Sequence, residues 1–226
     1  MRTRQALNAG IVVFPGSNCE HDVALALNSV NVTTQFVWHQ SCSLDGLDLV
    51  VLPGGFAHGD YLRPGAIARF SPIMKALVDF IDNGGVVLGI CNGFQILTEA
   101  GLLPGALCKN KGLKFLCQNT KVRVCSNISP FTANLPIGTE LDLPINHFSG
   151  NYICDTDTLN ELESHGQIVL KYVANPNGSL HDIAGITNLD GNVMGLMPHP
   201  ERACDELCSI TDGMVLLNSL VHSLDS

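Results

Sequence analysis

The chain has 226 residues, 46% hydrophobic and 15% charged, which fits a single compact domain (1–226) with ample core and few solvated tails. Twelve Lys and Arg against 21 Asp and Glu give a formal net charge of −9, with no clustered basic run, so nucleic acid is excluded as a default partner. No apolar run approaches the roughly 18 residues of a membrane span, the start MRTRQALNAG lacks a leader pattern, and nine cysteines without a CxxC pair read as reduced thiols in a cytosolic chain.

The first 130 residues alternate strands and helices. AGIVVF (9–14) is a short apolar run that ends at Pro15-Gly16-Ser17, a buried strand entering a turn. HDVALALNSV (21–30) has helical periodicity, and VTTQFVW (32–38) is β-branched and aromatic, as a second strand should be. LDLVVLPGGF (47–56) is a third strand running into a glycine turn. SPIMKALVDFIDNGG (71–85) is the clearest helix, with Ser71 as cap, Pro72 in the first turn and Gly84 as stop. VVLGI (86–90) is apolar throughout, as expected in the middle of a parallel sheet. From about 115 to 197, FLCQNTKVRV, TELDLPI, QIVLKYV, IAGITNL and NVMGLMP are short β-like runs split by turn residues, predicting antiparallel strands that continue or flank the sheet. The stretch 205–224 reads as a final amphipathic helix.

Strands joined by helices imply βαβ units, whose functional groups gather at the carboxyl ends of the strands. Three such ends carry unusual turns: Pro15-Gly16-Ser17-Asn18, Pro53-Gly54-Gly55-Phe56 and Gly89-Ile90-Cys91-Asn92-Gly93. As parallel neighbours they would face one crevice. The last is a GxCxG elbow between an apolar strand and the helical GFQILTEAG. Its small residues permit a sharp, strained turn that lifts Cys91 clear of the sheet. The helix brings its positive end to the sulfur and favours thiolate over thiol. The backbone N–H of Asn92 is a candidate oxyanion donor, with a second from the Gly54-Gly55 turn. A thiol packed in an ordinary strand–turn–helix would read the same way.

A reactive cysteine needs a base. In GLMPHPERA (195–203), His199 follows an apolar strand between two stiffening prolines. In an extended segment Glu201, two residues on, faces the same side and can hold the imidazole. A proline-bounded surface loop is the plainer alternative. His147, in PINHFSGNY, is the main competitor but has no nearby carboxylate, and His58, in GGFAHGD, better suits a binding or loop role. Cys204 and Cys208 lie one helical turn apart, without a ligand-spacing motif, so no metal site is expected.

The cysteine elbow followed by His-x-Glu on an alternating α/β chain resembles the class I glutamine amidotransferases. FPGSNCEHD, LPGGFAHGDYLRPGAIA, GICNGFQILTEAGLLPG, PFT, NPNGS with IAGITN, and GNVMGLMPHPER narrow the resemblance to the glutaminase subunits of phosphoribosylformylglycinamidine synthase, from about residue 11 to 203. The resemblance implies a flavodoxin-like α/β fold: a mostly parallel central sheet, helices on both faces and additional antiparallel strands. It implies Cys91 as nucleophile on the amide of L-glutamine, His199 as base and acid, and Glu201 as its orienting carboxylate. Gly54, Gly55, Asn92 and Gln95 are the candidate substrate and oxyanion residues.

The partners implied are a large synthetase subunit and a small accessory subunit. ATP and Mg belong to the synthetase, because this chain has no GxxxxGK[ST] loop and is expected to bind no cofactor. Two departures from relatives stand out: His147-Phe148-Ser149-Gly150 replaces an HGEG-like stretch, and Ala57-His58 replaces Ser-Tyr. A glutaminase for another acceptor, such as pyridoxal phosphate synthesis, is disfavoured by GDYLRPGAIA and NPNGS. A non-catalytic protein of the DJ-1 kind is disfavoured by the His199–Glu201 pair.

Overall fold

The computed structural model describes residues 7–205 and 210–225. Strands β1 (Asn8–Val13), β3 (Leu49–Leu52) and β4 (Val86–Ile90) are buried along nearly their whole length, as strands covered on both faces must be. β2 (Thr33–Trp38) exposes most of its side chains and forms one edge of the sheet. Helix α1 (Glu20–Ser29) links β1 to β2, and α2 (Ile73–Asp82) links β3 to β4, so all four strands run parallel. α2 buries Ile73, Met74 and Leu77 along one stripe. Ser71 does not cap it. The Ser71 hydroxyl instead pairs with Nδ1 of His39 at 2.9 Å, a buried partner that outcompetes the exposed helix end. Helix α3 (Asn92–Glu99) follows β4 directly.

β6 (Leu116–Val124), β7 (Glu140–His147), β9 (Ile168–Tyr172), β10 (Ile183–Thr187) and β11 (Val193–Leu196) complete a nine-stranded sheet of order β2-β1-β3-β4-β11-β10-β9-β6-β7. β11 differs from the antiparallel reading. It pairs antiparallel with β10, but its other edge runs parallel to β4, in register from Val193↔Val87 to Leu196↔Ile90. It is therefore the fifth parallel strand, and its carboxyl end opens beside that of β4. β6, β7, β9 and β10 form the antiparallel half.

Three elements were not anticipated: the two-stranded sheet of β5 (Ala106–Cys108) with β8 (Asn151–Ile153), and helix α4 (Thr156–Ser164). α4 is capped by Asp155, whose carboxylate accepts from the Thr158 N–H at 2.8 Å, and it buries Leu159 and Leu162. The tail helix α5 (Asp212–Leu224) starts later than the run 205–224 suggests. Cys208 lies outside the described residues. Cys204 donates to the Pro200 carbonyl at 3.1 Å, and burial pushes its thiol up to about 12. Among the described residues no helix is long and apolar enough to cross a membrane.

Candidate active site

The ends of β1, β3, β4 and β11 meet at one place. The turns after β1 and β3 are joined by Phe56 N–H to Gly16 O at 2.8 Å and His58 N–H to Pro15 O at 2.6 Å. Cys91 stands between β4 and α3 with φ 51° and ψ −102°, a conformation a side-chain-bearing residue adopts only when its surroundings enforce it. Packing shows why the elbow needs a glycine after the cysteine: a Cβ at Gly93 would run into the Leu52 carbonyl at the end of β3. Cys91 is 5% exposed, and its sulfur faces the Asn146 carbonyl at 3.8 Å.

β11 delivers His199. Its backbone N–H is tied to Pro144 O on β7 at 2.8 Å, and its Nδ1 meets Oε1 of Glu201 at 2.6 Å, both side chains being 2% exposed. Burial alone would lower the His199 pKa. The Glu201 carboxylate and, to a smaller extent, the neighbouring Cys91 and Cys19 side chains together outweigh it, so the imidazole titrates well above its ordinary range. Nε2 of His199 and Oε2 of Glu201 are buried without hydrogen-bond partners. An oriented imidazole beside a thiol can shuttle a proton between sulfur and a leaving group.

Behind this pair lies a layer that sequence reading missed. Cys19, 2% exposed, sits with His199 and Glu201, their sulfur, nitrogen and oxygen atoms lying within 4.8 Å of one another. Its Sγ receives an N–H of Arg202 at 3.1 Å, and Arg202 is itself anchored on Asp22 at 3.1 Å. Those three atoms could in principle ligate a soft cation. The guanidinium already occupies the sulfur, and Nδ1 is committed to Glu201, so the group reads as support for His199. The motifs FPGSNC and HPER carried the only signal.

In front of Cys91 opens a cavity of about 390 Å³. Gly55 and Gln95 line it; Gly54 does not, because it backs His199 and Cys19, where a Cβ would come within 2.7 Å of the imidazole. Asn92 uses its side chain structurally: Oδ1 accepts the Ala57 N–H at 3.0 Å and Nδ2 donates to Gln95 Oε1 at 2.9 Å. Gln95 in turn donates to the Ser149 carbonyl. The His147–Ser149 stretch lines the cavity, so the departure at Phe148-Ser149 falls in the site itself. His147 bonds Asn110 Oδ1 through Nδ1 at 3.1 Å; burial, and then the nearby charge of His199, pull it down to about 4. A neutral imidazole without a carboxylate is a poor rival to His199. His58 stacks edge-on against His39 at 5.5 Å and does not line the cavity. Asp60, not singled out from sequence, does line it, and burial raises its pKa to about 6 against the lowering effect of Asn92.

Known proteins resemble this chain along nearly its whole length. Residues 6–211 match the CobB/CobQ-like glutamine amidotransferase domain family. Phosphoribosylformylglycinamidine synthase subunit PurQ of Prochlorococcus marinus (strain NATL2A) is 52% identical over 216 residues, covering 95% of this chain and all of that protein. Its counterpart in Koribacter versatilis (strain Ellin345) is 51% identical over 225 residues, covering 95% of this chain and 97% of that one. Among solved structures, a chain of PurLQS from Thermotoga maritima superposes with a TM-score of 0.91 at 41% identity, covering 97% of this chain and 100% of that one.

Proposed function

The chain belongs to the glutamine amidotransferases, in the family of PurQ subunits of phosphoribosylformylglycinamidine synthase, and from that premise we propose that it is the glutaminase of such a synthase, hydrolysing L-glutamine to glutamate and handing the ammonia to a synthetase partner. The observation that carries the mechanism is the buried His199–Glu201 pair, 2.6 Å apart, beside a cysteine held on a strained elbow.

In the first half-reaction the Cys91 sulfur attacks the γ-carboxamide carbon and its proton passes to His199. A carbon–sulfur bond forms, the carbon–nitrogen bond breaks, and ammonia departs with the proton from His199. Water, deprotonated by His199, then attacks the γ-glutamyl thioester and releases glutamate and the thiol. Glu201 keeps Nδ1 protonated and stabilises the imidazolium formed at each step. The Asn92 N–H at the start of α3, with the Gly55 turn, is suited to the oxyanion.

The ammonia serves ATP-dependent conversion of formylglycinamide ribonucleotide to its amidine in purine synthesis. ATP and Mg act on the large synthetase subunit, with a small accessory subunit completing the complex. This chain holds neither cofactor nor metal in this reading, and works in the cytoplasm. Ammonia released into neutral water would be protonated and lost as a nucleophile, which is the reason to couple the two subunits.

The test is glutamate release from glutamine by the chain alone and with the synthetase and accessory subunits. Activity should rise with the partners and fall at least about 10³-fold in Cys91→Ala, while added ammonium salt restores amidine synthesis to that variant complex. Glutamate release that survives Cys91→Ala removes the mechanism; synthesis that ammonium does not restore removes the subunit assignment.

A further inference from the structure

The residues lining the cavity in front of Cys91 include one carboxyl group, Asp60, and one ammonium, Lys109. His58, Gly59 and Asp60 have φ of 52°, 73° and 51°, three successive left-handed residues of which two are not glycine. Such backbone persists only where its surroundings over-determine it. Here α3 enforces it: Asn92, the residue after the nucleophile, holds the Ala57 N–H at 3.0 Å and reaches Asp60 Oδ1 at 3.4 Å. The carboxyl is thereby held in the lining of the same cavity as Cys91. Lys109 sits at the cavity with its ammonium 5.8 Å from the centre of the Phe148 ring. Neither charge has an ion-pair partner among the described residues.

A carboxylate and an ammonium left unpaired in the lining of one cavity match a ligand that carries the opposite pair on a single carbon. We propose that Asp60 is a specificity residue that receives the α-ammonium of glutamine, and that Lys109 takes its α-carboxylate. This assignment rests on the glutaminase reading above and names the groups by which that site would tell an α-amino acid from other primary amides. A site built to bond a substrate charge disfavours the analogue that lacks it, because its own charged group then loses that partner.

The experiment compares three amides on the chain assembled with its synthetase and accessory subunits: L-glutamine, glutaramate (no α-ammonium) and 4-aminobutanamide (no α-carboxylate). In the unaltered chain kcat/KM should favour glutamine over each analogue by about 10- to 100-fold. Asp60→Asn should lower glutamine turnover by a similar factor and leave glutaramate within about twofold of its original value. Lys109→Met, at an exposed position, should do the converse, lowering glutamine and sparing 4-aminobutanamide. Glutamine and glutaramate falling together in Asp60→Asn, or Lys109→Met leaving glutamine unchanged, would overturn the assignment while the glutaminase reading stands. Failure of the unaltered complex to hydrolyse glutamine would remove that reading and the assignment with it.

Discussion

His147 is a buried imidazole with no carboxylate beside it, and that governs its behaviour in acid. Burial and the neighbouring His199 bring its pKa from 6.5 to about 4. Between those values the unfolded chain binds a proton that the folded chain refuses. The contribution to stability is complete above about 6.5 and shrinks as pH falls, by on the order of 2 kcal/mol at pH 5. His147→Asn should therefore narrow the gap between urea midpoints measured at about pH 7.5 and pH 5; an unchanged gap would place the acid sensitivity elsewhere. Such contacts also explain what was legible at this scale. Cys91, His199 and Glu201 lie in local patterns whose geometry follows from the chain itself, an elbow and a Pro-flanked i, i+2 pair. Cys19 meets Arg202, 183 residues away, and Asp60 meets Asn92, 32 residues away. No window of sequence contains those pairs. Gly54 shows the same limit: the turn was found, but which of its two glycines faces the cavity depends on where His199 arrives from β11.

At the level of elements, the parallel strands β1, β3 and β4 could be read because each is an apolar run ending in a turn glycine. β11 looked like half of a hairpin, and it is one; its second edge against β4 is a tertiary fact with no local trace. β5 and β8 have three residues each, too short for alternation to register. α4 did leave a signal, the Asp155 cap and Leu159/Leu162 spacing, inside a region whose turn residues suggested only strands. α5 meets the segment that holds Glu201 at Gly213, whose N–H donates to the Ala203 carbonyl at 2.8 Å. A Cβ at Gly213 would strike the Pro200 carbonyl and lie 2.8 Å from the Ala203 carbonyl, both backbone atoms of the segment that holds Glu201. Gly213→Ala is expected to cost roughly 1–3 kcal/mol of stability and to lower kcat by displacing the Glu201 carboxylate. Gly112→Ala, where a Cβ meets nothing within 4 Å, is the control. Thermal melts and glutamate release on both variants decide it; equal behaviour would mean that α5 yields without moving the His199–Glu201 turn.

On the whole molecule, exposed apolar side chains are found in the lining of the cavity: Leu62 is 77% exposed, and Phe56 and Phe148 are half-exposed. Tyr61, the residue before Leu62, is 86% exposed. Sequence pattern could not separate these from core residues, since both read simply as apolar. Exposed apolar side chains gathered at one site mark interaction surfaces, and here they line the cavity where ammonia is released. Covering it with the synthetase would close the cavity to water and join the two reactions. Leu62→Glu should leave the melting temperature of the isolated chain within about 1 °C, because an exposed side chain holds little of the fold together. The same change should weaken assembly at least about tenfold and abolish the rise in glutaminase activity on adding the partners. Leu25, 71% exposed on α1 beside Arg202 and away from the cavity, supplies the comparison. If Leu25→Glu breaks assembly and Leu62→Glu does not, the synthetase docks on the α1 side, and the ammonia must then travel through or around the protein to reach it.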